Sequence, residues 1–202
     1  MARTPKIVED RREQIIDAAL SVFSQKGFLK ATNKDIARAA GITPGLIYYY
    51  FDSKEALLQA ILEARSPLTV LTTLPPQVLA LPPEMFFRFL IPRALNIIEG
   101  ENFIGLIRVL LPEMIYKPEM AAIPRGIIEQ VLEILGNYLS AKIEAGEIRP
   151  VDVDLTAQTF LGCAIGFVLR RQILRDPSVL AYSHEEIANV IIDTVFQGLI
   201  PR

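Results

Sequence analysis

Residues Thr32–Lys54 read TNKDIARAAGITPGLIYYYFDSK, and this order of caps, small residues and one glycine predicts two short helices joined by a tight turn. Thr32 offers a hydroxyl to the free amides of a first helical turn, and Asp35 suits the positive end of the helix dipole, so a helix starts at Asn33. Ile36, Ala37 and Ala40 form its inner face, the alanines being small enough to let a second helix come close. Gly41 supplies the left-handed conformation required by a turn of roughly three or four residues between crossed helices. Ile42 plugs that turn. Thr43 followed by Pro44 is a cap and first-position pair, which sets the second helix from Pro44 to about Phe51. A further start follows at Asp52-Ser53-Lys54-Glu55.

Upstream, Ile15, Ile16, Ala19, Leu20 and Phe23 recur at helical spacing, with Arg11, Arg12, Glu13 and Asp17 on the opposite face and Gly27 as a stop. Three helices in about fifty residues, the last two joined by a glycine turn, form a helix-turn-helix. In that motif the second helix lies in the DNA major groove and its N-terminal residues meet base edges. Gly27, Thr32, Ile36-Ala37, Ala40-Gly41-Ile42-Thr43, Gly45, Tyr48, Tyr50-Phe51 and Lys54 fall at the spacings characteristic of the tetracycline-repressor (TetR) family, which the stretch from Arg11 to about Leu58 resembles. The resemblance implies a dimeric, one-component transcriptional regulator, usually a repressor, whose C-terminal helical part binds a small ligand and dimerises.

The expected DNA-contacting residues are Thr32, Asn33, Lys34, Thr43, Pro44, Gly45, Tyr48, Tyr49, Tyr50 and Lys54. Lys34 is the exposed cation of the first helix, at a position where the resemblance implies contact with a base edge; contact with phosphate is the alternative. Pro44 and Gly45 carry no side-chain donor, so base reading falls to thymine methyl contacts, Thr43, Tyr48 and Tyr49. The resemblance places Tyr48 and Tyr50 against phosphates or packed beneath them. Lys54 adds a charge at a helix start, which suits a phosphate. Arg3 and Lys6 precede the first helix as a candidate groove-binding arm or a plain tail.

After Lys54 the pattern continues as a helix to Ala64, which Pro67 ends. Residues 66–83 hold five prolines and three threonines and read as a connector. Apolar helical patterns then run over about 84–99, 103–111, 120–145, 155–174 and 185–199, with stops or starts at Gly100, Pro112, Gly146, Asp154 and Asp176-Pro177. No segment alternates as a strand does. The expected fold is therefore all-α, with a DNA-binding domain at 1–65 and a helical ligand-binding and dimerisation domain at 66–202.

Residues 1–65 carry ten Lys or Arg against eight Asp or Glu, net +2, and residues 66–202 carry eleven against fifteen, net −4, giving the overall −2. Positive charge is thus confined to the part that would meet DNA. The single cysteine, Cys163, excludes a disulfide within the chain, and nothing resembles a signal peptide, so the expected compartment is the cytoplasm. The longest unbroken apolar run, Phe160–Leu169, is shorter than the roughly twenty residues a membrane span needs. No cofactor motif is present. Cys163 lies mid-helix in an apolar run and the only histidine, His184, sits at a helix start, without metal-ligand spacing or a carboxylate pair beside them, so an enzyme is not expected.

In the second domain Phe89, Arg108, Tyr138 and Phe167 are candidate walls of a pocket for a mostly apolar effector, against the plainer readings of core aromatics and a surface arginine. Gly162, Gly166 and Gly198 mark a candidate dimer seam or close packing within the chain. A ligand-independent or architectural DNA binder is the competing function, and a filled interior would favour it.

Overall fold

A computed structural model describes residues 5–196 and Leu199, with side chains from Asp10 onward except that of Asn102. Among the described residues every regular element is a helix. The chain divides into two compact units, residues 1–66 with 100–126, and residues 67–99 with 127–202.

The first unit opens with α1 (Pro5–Lys26), α2 (Asn33–Ala39), α3 (Pro44–Tyr50) and α4 (Lys54–Arg65). Ile15, Ile16, Ala19, Leu20 and Phe23 of α1 are buried together with Ile36, Ala37, Ile47, Leu57, Leu58 and Ile61. Each large side chain sealed in this way stabilises the head by roughly 1.5–3 kcal/mol. Arg65 closes the bundle at its far end, bonding Glu13 at 2.6 Å and Asp17 at 2.8 Å on α1.

Three short or apolar helices, α5 (Leu68–Thr72), α6 (Pro76–Leu79) and α7 (Pro83–Ile98), belong to the second unit, and α8 (Glu101–Tyr116) returns to the first. The expected connector at 66–83 therefore contains helices. Pro76 and Pro83 start α6 and α7, because a proline at the first helical position gives up an amide that has no partner there, and Pro67 flanks the start of α5. The expected stop at Pro112 is also overturned: α8 runs through it to Tyr116, as α7 runs through Pro92. An internal proline costs about 3 kcal/mol. In α8 the burial of Phe103, Ile104, Leu106 and Leu110 offsets it. α8 packs on α1 so closely that a Cβ built at Gly105 lies 3.0 Å from the Ser24 Cβ.

The second unit adds, after a 3-10 turn at Pro118–Ala121, α9 (Ala122–Glu144), α10 (Val153–Val168), a π-helical extension Leu169–Ile173, α11 (Pro177–Leu180) and α12 (His184–Phe196). Its core is aromatic. Phe86 stacks on Tyr138 at 3.8 Å between centroids and Phe87 on Phe160 at 4.0 Å, with Phe196 5.9 Å from both Phe87 and Phe160. Beside it Arg171 makes a two-pronged pair with Glu99, at 2.8 and 3.1 Å, and donates to the Val179 and Tyr182 carbonyls. The combined stretch Val153–Ile173 is long and apolar enough to cross a membrane, with a mean hydropathy of 1.2, yet only 17% of that window is buried.

Candidate nucleic-acid interface

The α2 start is built as its residues dictate. Thr32 accepts from the Asp35 amide while Asp35 accepts from the Thr32 amide, both at 3.2 Å, which is the reciprocal capping box. Lys26 reaches Asp35 Oδ1 at 2.6 Å. That bond, with those from Thr32, holds the Asp35 carboxyl down at about 2. The Thr32 hydroxyl is therefore engaged in the cap. Asn33 is half-exposed and Lys34 exposed, and Arg38, one turn on, presents a side chain that is 82% exposed on the same face. Arg38 is not among the expected contacts; its four-residue spacing from Lys34 is the signal that puts it on the same face.

Gly41 takes φ +62°, and the Ile42 amide then bonds the Ala37 carbonyl at 2.9 Å, so the turn closes as expected. Ile47 is buried and anchors α3. Thr43, Pro44 and Gly45 are exposed, the Thr43 side chain makes no capping bond, and nothing lies within 4 Å of a Cβ built at Gly45. Tyr48 and Tyr49 follow one turn later and are 61% and 72% exposed. Helical side chains lean over the turn before them, so both rings stand above the bare Pro44–Gly45 end. The result is an open, hydroxyl-bearing helix end that projects from a fixed head.

Two expected contacts differ from the rest. Tyr50 is half-buried, edge-on to Tyr49 at 5.1 Å, and its hydroxyl is buried without a hydrogen-bond partner, which makes it a packing residue in this geometry. Lys54 turns inward. Its ammonium donates to the carbonyls of Phe28 at 2.8 Å, Ala31 at 3.2 Å and Leu29 at 3.4 Å and lies 4.5 Å from the Phe28 ring centre. Three acceptors match the three donors of an ammonium, so Lys54 ties the start of α4 to the loop between α1 and α2. Arg3 and the Lys6 side chain lie outside the described residues.

A profile for bacterial regulatory proteins of the tetR family matches residues 15–61, and a profile for the C-terminal domain of AefR-like transcriptional repressors matches residues 88–197, more than half of the chain. The chain belongs to the TetR family of transcriptional regulators. The HTH-type transcriptional regulator SrpR of Pseudomonas putida is 48% identical over 66 residues, 32% of this chain and 31% of that protein. Such curated relatives are thus matched over about a third of their length. The fold extends further. FadR of Bacillus subtilis, solved with stearoyl-CoA, superposes with a TM-score of 0.76 at 23% identity over 92% of this chain and 98% of its own. SmeT, the repressor of a Stenotrophomonas maltophilia multidrug efflux pump, does so at 0.72 and 20% over 94% and 90%. This is a DNA-binding family of regulators, not of enzymes.

The effector and seam candidates of this TetR-family regulator distribute unevenly. Tyr138 belongs to the packed aromatic core, where its hydroxyl donates to the Leu81 carbonyl at 2.9 Å and burial pushes its pKa up. Arg108 is exposed on α8 in the first unit. Phe89 is half-exposed with the Arg93 guanidinium 3.6 Å over its ring, and Phe167 is half-exposed. Gly162 and Gly166 are exposed, with nothing within 4 Å of a Cβ built at either, so they serve no close packing among the described residues. Gly198 lies outside the described residues. His184 faces Asn96 Oδ1 and Glu99 Oε2, both at 2.9 Å, away from any role with Cys163.

Proposed function

We propose that this regulator is a cytoplasmic homodimeric repressor that binds a palindromic operator through the exposed edges of α2 and α3 and whose affinity is set by a mostly apolar small molecule. The observation that carries the DNA part is the open Thr43–Pro44–Gly45 end of α3 with Tyr48 and Tyr49 above it, together with the exposed Lys34 side chain on α2. Thr43, Tyr48 and Tyr49 read bases, Lys34 and Arg38 supply the charge, and Thr32, Tyr50 and Lys54 hold the shape. The reading head stays within residues 1–65, and residues 66–202 serve effector and partner.

For the seam, Leu155, Gly162 and Gly166 of α10 and Leu169 at the start of the π-helical extension recur as one stripe, with Ile165 beside them. Leu155 is 66% exposed, and Val190 on α12 is 60% exposed. For the effector, FadR's stearoyl-CoA complex supports an apolar chain as the class to try first. Phe89 and Phe167 remain the wall residues with surface to offer. The stacking of Tyr138 on Phe86 within the aromatic core favours the ligand-independent alternative, and the same experiment separates the two. The full-length protein is used to select duplexes from a random pool, and the selected duplex is titrated against salt and a series of acyl-CoAs. Inverted half-sites, a loss of about one unit of salt slope in Lys34→Ala if Lys34 holds a phosphate or relaxed preference at one base pair if it reads a base, and a shift in affinity with one chain length are expected. No selected sequence overturns the reading; selection without any acyl-CoA effect sinks the apolar-effector part.

A further inference from the structure

The loop 27–31 between α1 and α2 is gripped from two sides. Lys54 holds its carbonyls, as described. From the other side, Glu113 of α8 accepts the Leu29 amide on Oε1 at 3.3 Å. The same oxygen lies 3.2 Å from a Cβ built at Gly27, where φ is +87°, and Val109 lies 3.3 Å from it. The loop then runs directly into the Thr32 cap that starts α2. Three helices, α1, α4 and α8, thus converge on the five residues that lead into α2.

Glu113 is a poor choice for stability alone. Its Oε2 is buried without any hydrogen-bond partner, and its one bond is long. A buried carboxylate oxygen left in this state costs free energy. An apolar residue of the same length, set in the company of Val109, would cost less. The bond from Glu113 to the loop thus comes at a cost to stability, which points to a task other than holding the fold.

We infer that Glu113 is a positioning residue for DNA binding: α8 sets the α1–α2 loop through the Leu29 amide, and through it the orientation of α2 and α3. This deepens the proposed function and rests on it, since α8 is joined along the chain to α7 on one side and α9 on the other, both of which belong wholly or mainly to the effector part. A shift of α8 changes the one hydrogen bond that Glu113 makes to the loop, while Lys54 keeps the loop tied to α4.

The test uses the full chain with Glu113→Leu, Glu113→Gln and Lys54→Met, amide hydrogen exchange at residues 27–31, and affinity for the duplex selected from the random pool. Glu113→Leu is expected to speed exchange at Leu29 by about fivefold or more, the equivalent of one net hydrogen bond, and to weaken DNA binding several-fold at an unchanged salt slope. Its melting temperature is expected to hold or rise, which a structural role would not allow. Glu113→Gln retains the accepting oxygen and is expected to restore both readouts to within about twofold of wild type. Combined with Lys54→Met, the loss of affinity should fall short of the product of the two single effects, because both side chains act on one loop. Unchanged exchange at Leu29 in Glu113→Leu, or a lowered melting temperature that accounts for the lost affinity, overturns the inference. If the wild-type chain selects no duplex, the DNA-binding reading fails on its own, and the exchange and melting measurements still decide whether Glu113 holds the loop.

Discussion

Gly27 and Gly41 both hold backbone in the left-handed region, at φ +87° and +62°, but they meet different surroundings. Around Gly41 nothing lies within 4 Å of an added Cβ, so alanine there pays only the conformational cost of about 1–2 kcal/mol. At Gly27 the added carbon also meets the Glu113 carboxylate at 3.2 Å and Val109 at 3.3 Å. Gly27→Ala is therefore expected to destabilise the protein more than Gly41→Ala, as read by urea unfolding of the two variants side by side. Equal losses would mean that α8 gives way freely at this point and does not press on the loop. The same pair of residues separates what is local from what is not: both glycines were legible as a helix stop and a turn, whereas the Glu113 contact spans more than eighty positions of chain and leaves no local sign.

At the scale of elements, the clasp among α7, the π-helical extension and α12 depends on Arg171. Its partner Glu99 has a side chain only 7% exposed, and that of Arg171 is 11% exposed. Burial pushes the Glu99 carboxyl up, but its bonds to Arg171 and His184 outweigh this and hold it below the ordinary value. A depressed carboxyl contributes stability above its unfolded pKa, and that contribution is lost as pH falls through the folded one. Arg171→Met should thus cost on the order of 3 kcal/mol at neutral pH, since it leaves a buried carboxylate without its cation. It should also flatten the acid dependence of the melting temperature below about pH 4.5, the ordinary range of a glutamate. A variant as stable as wild type at pH 7 would remove the clasp from the account. The clasp also shows where sequence reading stops. Caps, a glycine and a proline spelled out α2 and α3 because those signals act within one turn. The same local logic read Pro112 as a stop, which failed where the packing of α8 decided, and it read residues 66–83 as connector by taking their prolines as breakers when Pro76 and Pro83 start helices. Lys54 was legible as a lysine at a helix start, but its three carbonyl acceptors come from a loop 23 to 26 residues earlier.

For the whole molecule, the question is what covers α10. A single chain leaves Leu155, Ile165 and Leu169 exposed along a helix apolar enough to pass for a membrane span, and leaves open space over Gly162 and Gly166. An exposed apolar stripe of this kind is costly in water, at about 25 cal/mol for each Å² left wet. A second copy meeting it about a two-fold axis would bury the stripe on both chains at once, and the bare glycines would let the helix axes approach. The same two-fold would set two reading heads near the roughly 34 Å repeat of duplex DNA, which a palindromic operator requires. Gly166→Leu puts bulk at the centre of that seam, where an added Cβ meets none of the described residues within 4 Å. It is expected to leave helical content and the core intact while shifting sedimentation from dimer to monomer, and to lower operator affinity together with the dimer fraction. A well-folded Gly166→Leu that stays fully dimeric would move the seam off α10. A variant that becomes monomeric yet binds the selected duplex as tightly as wild type would show that pairing of the heads is not what holds them to DNA.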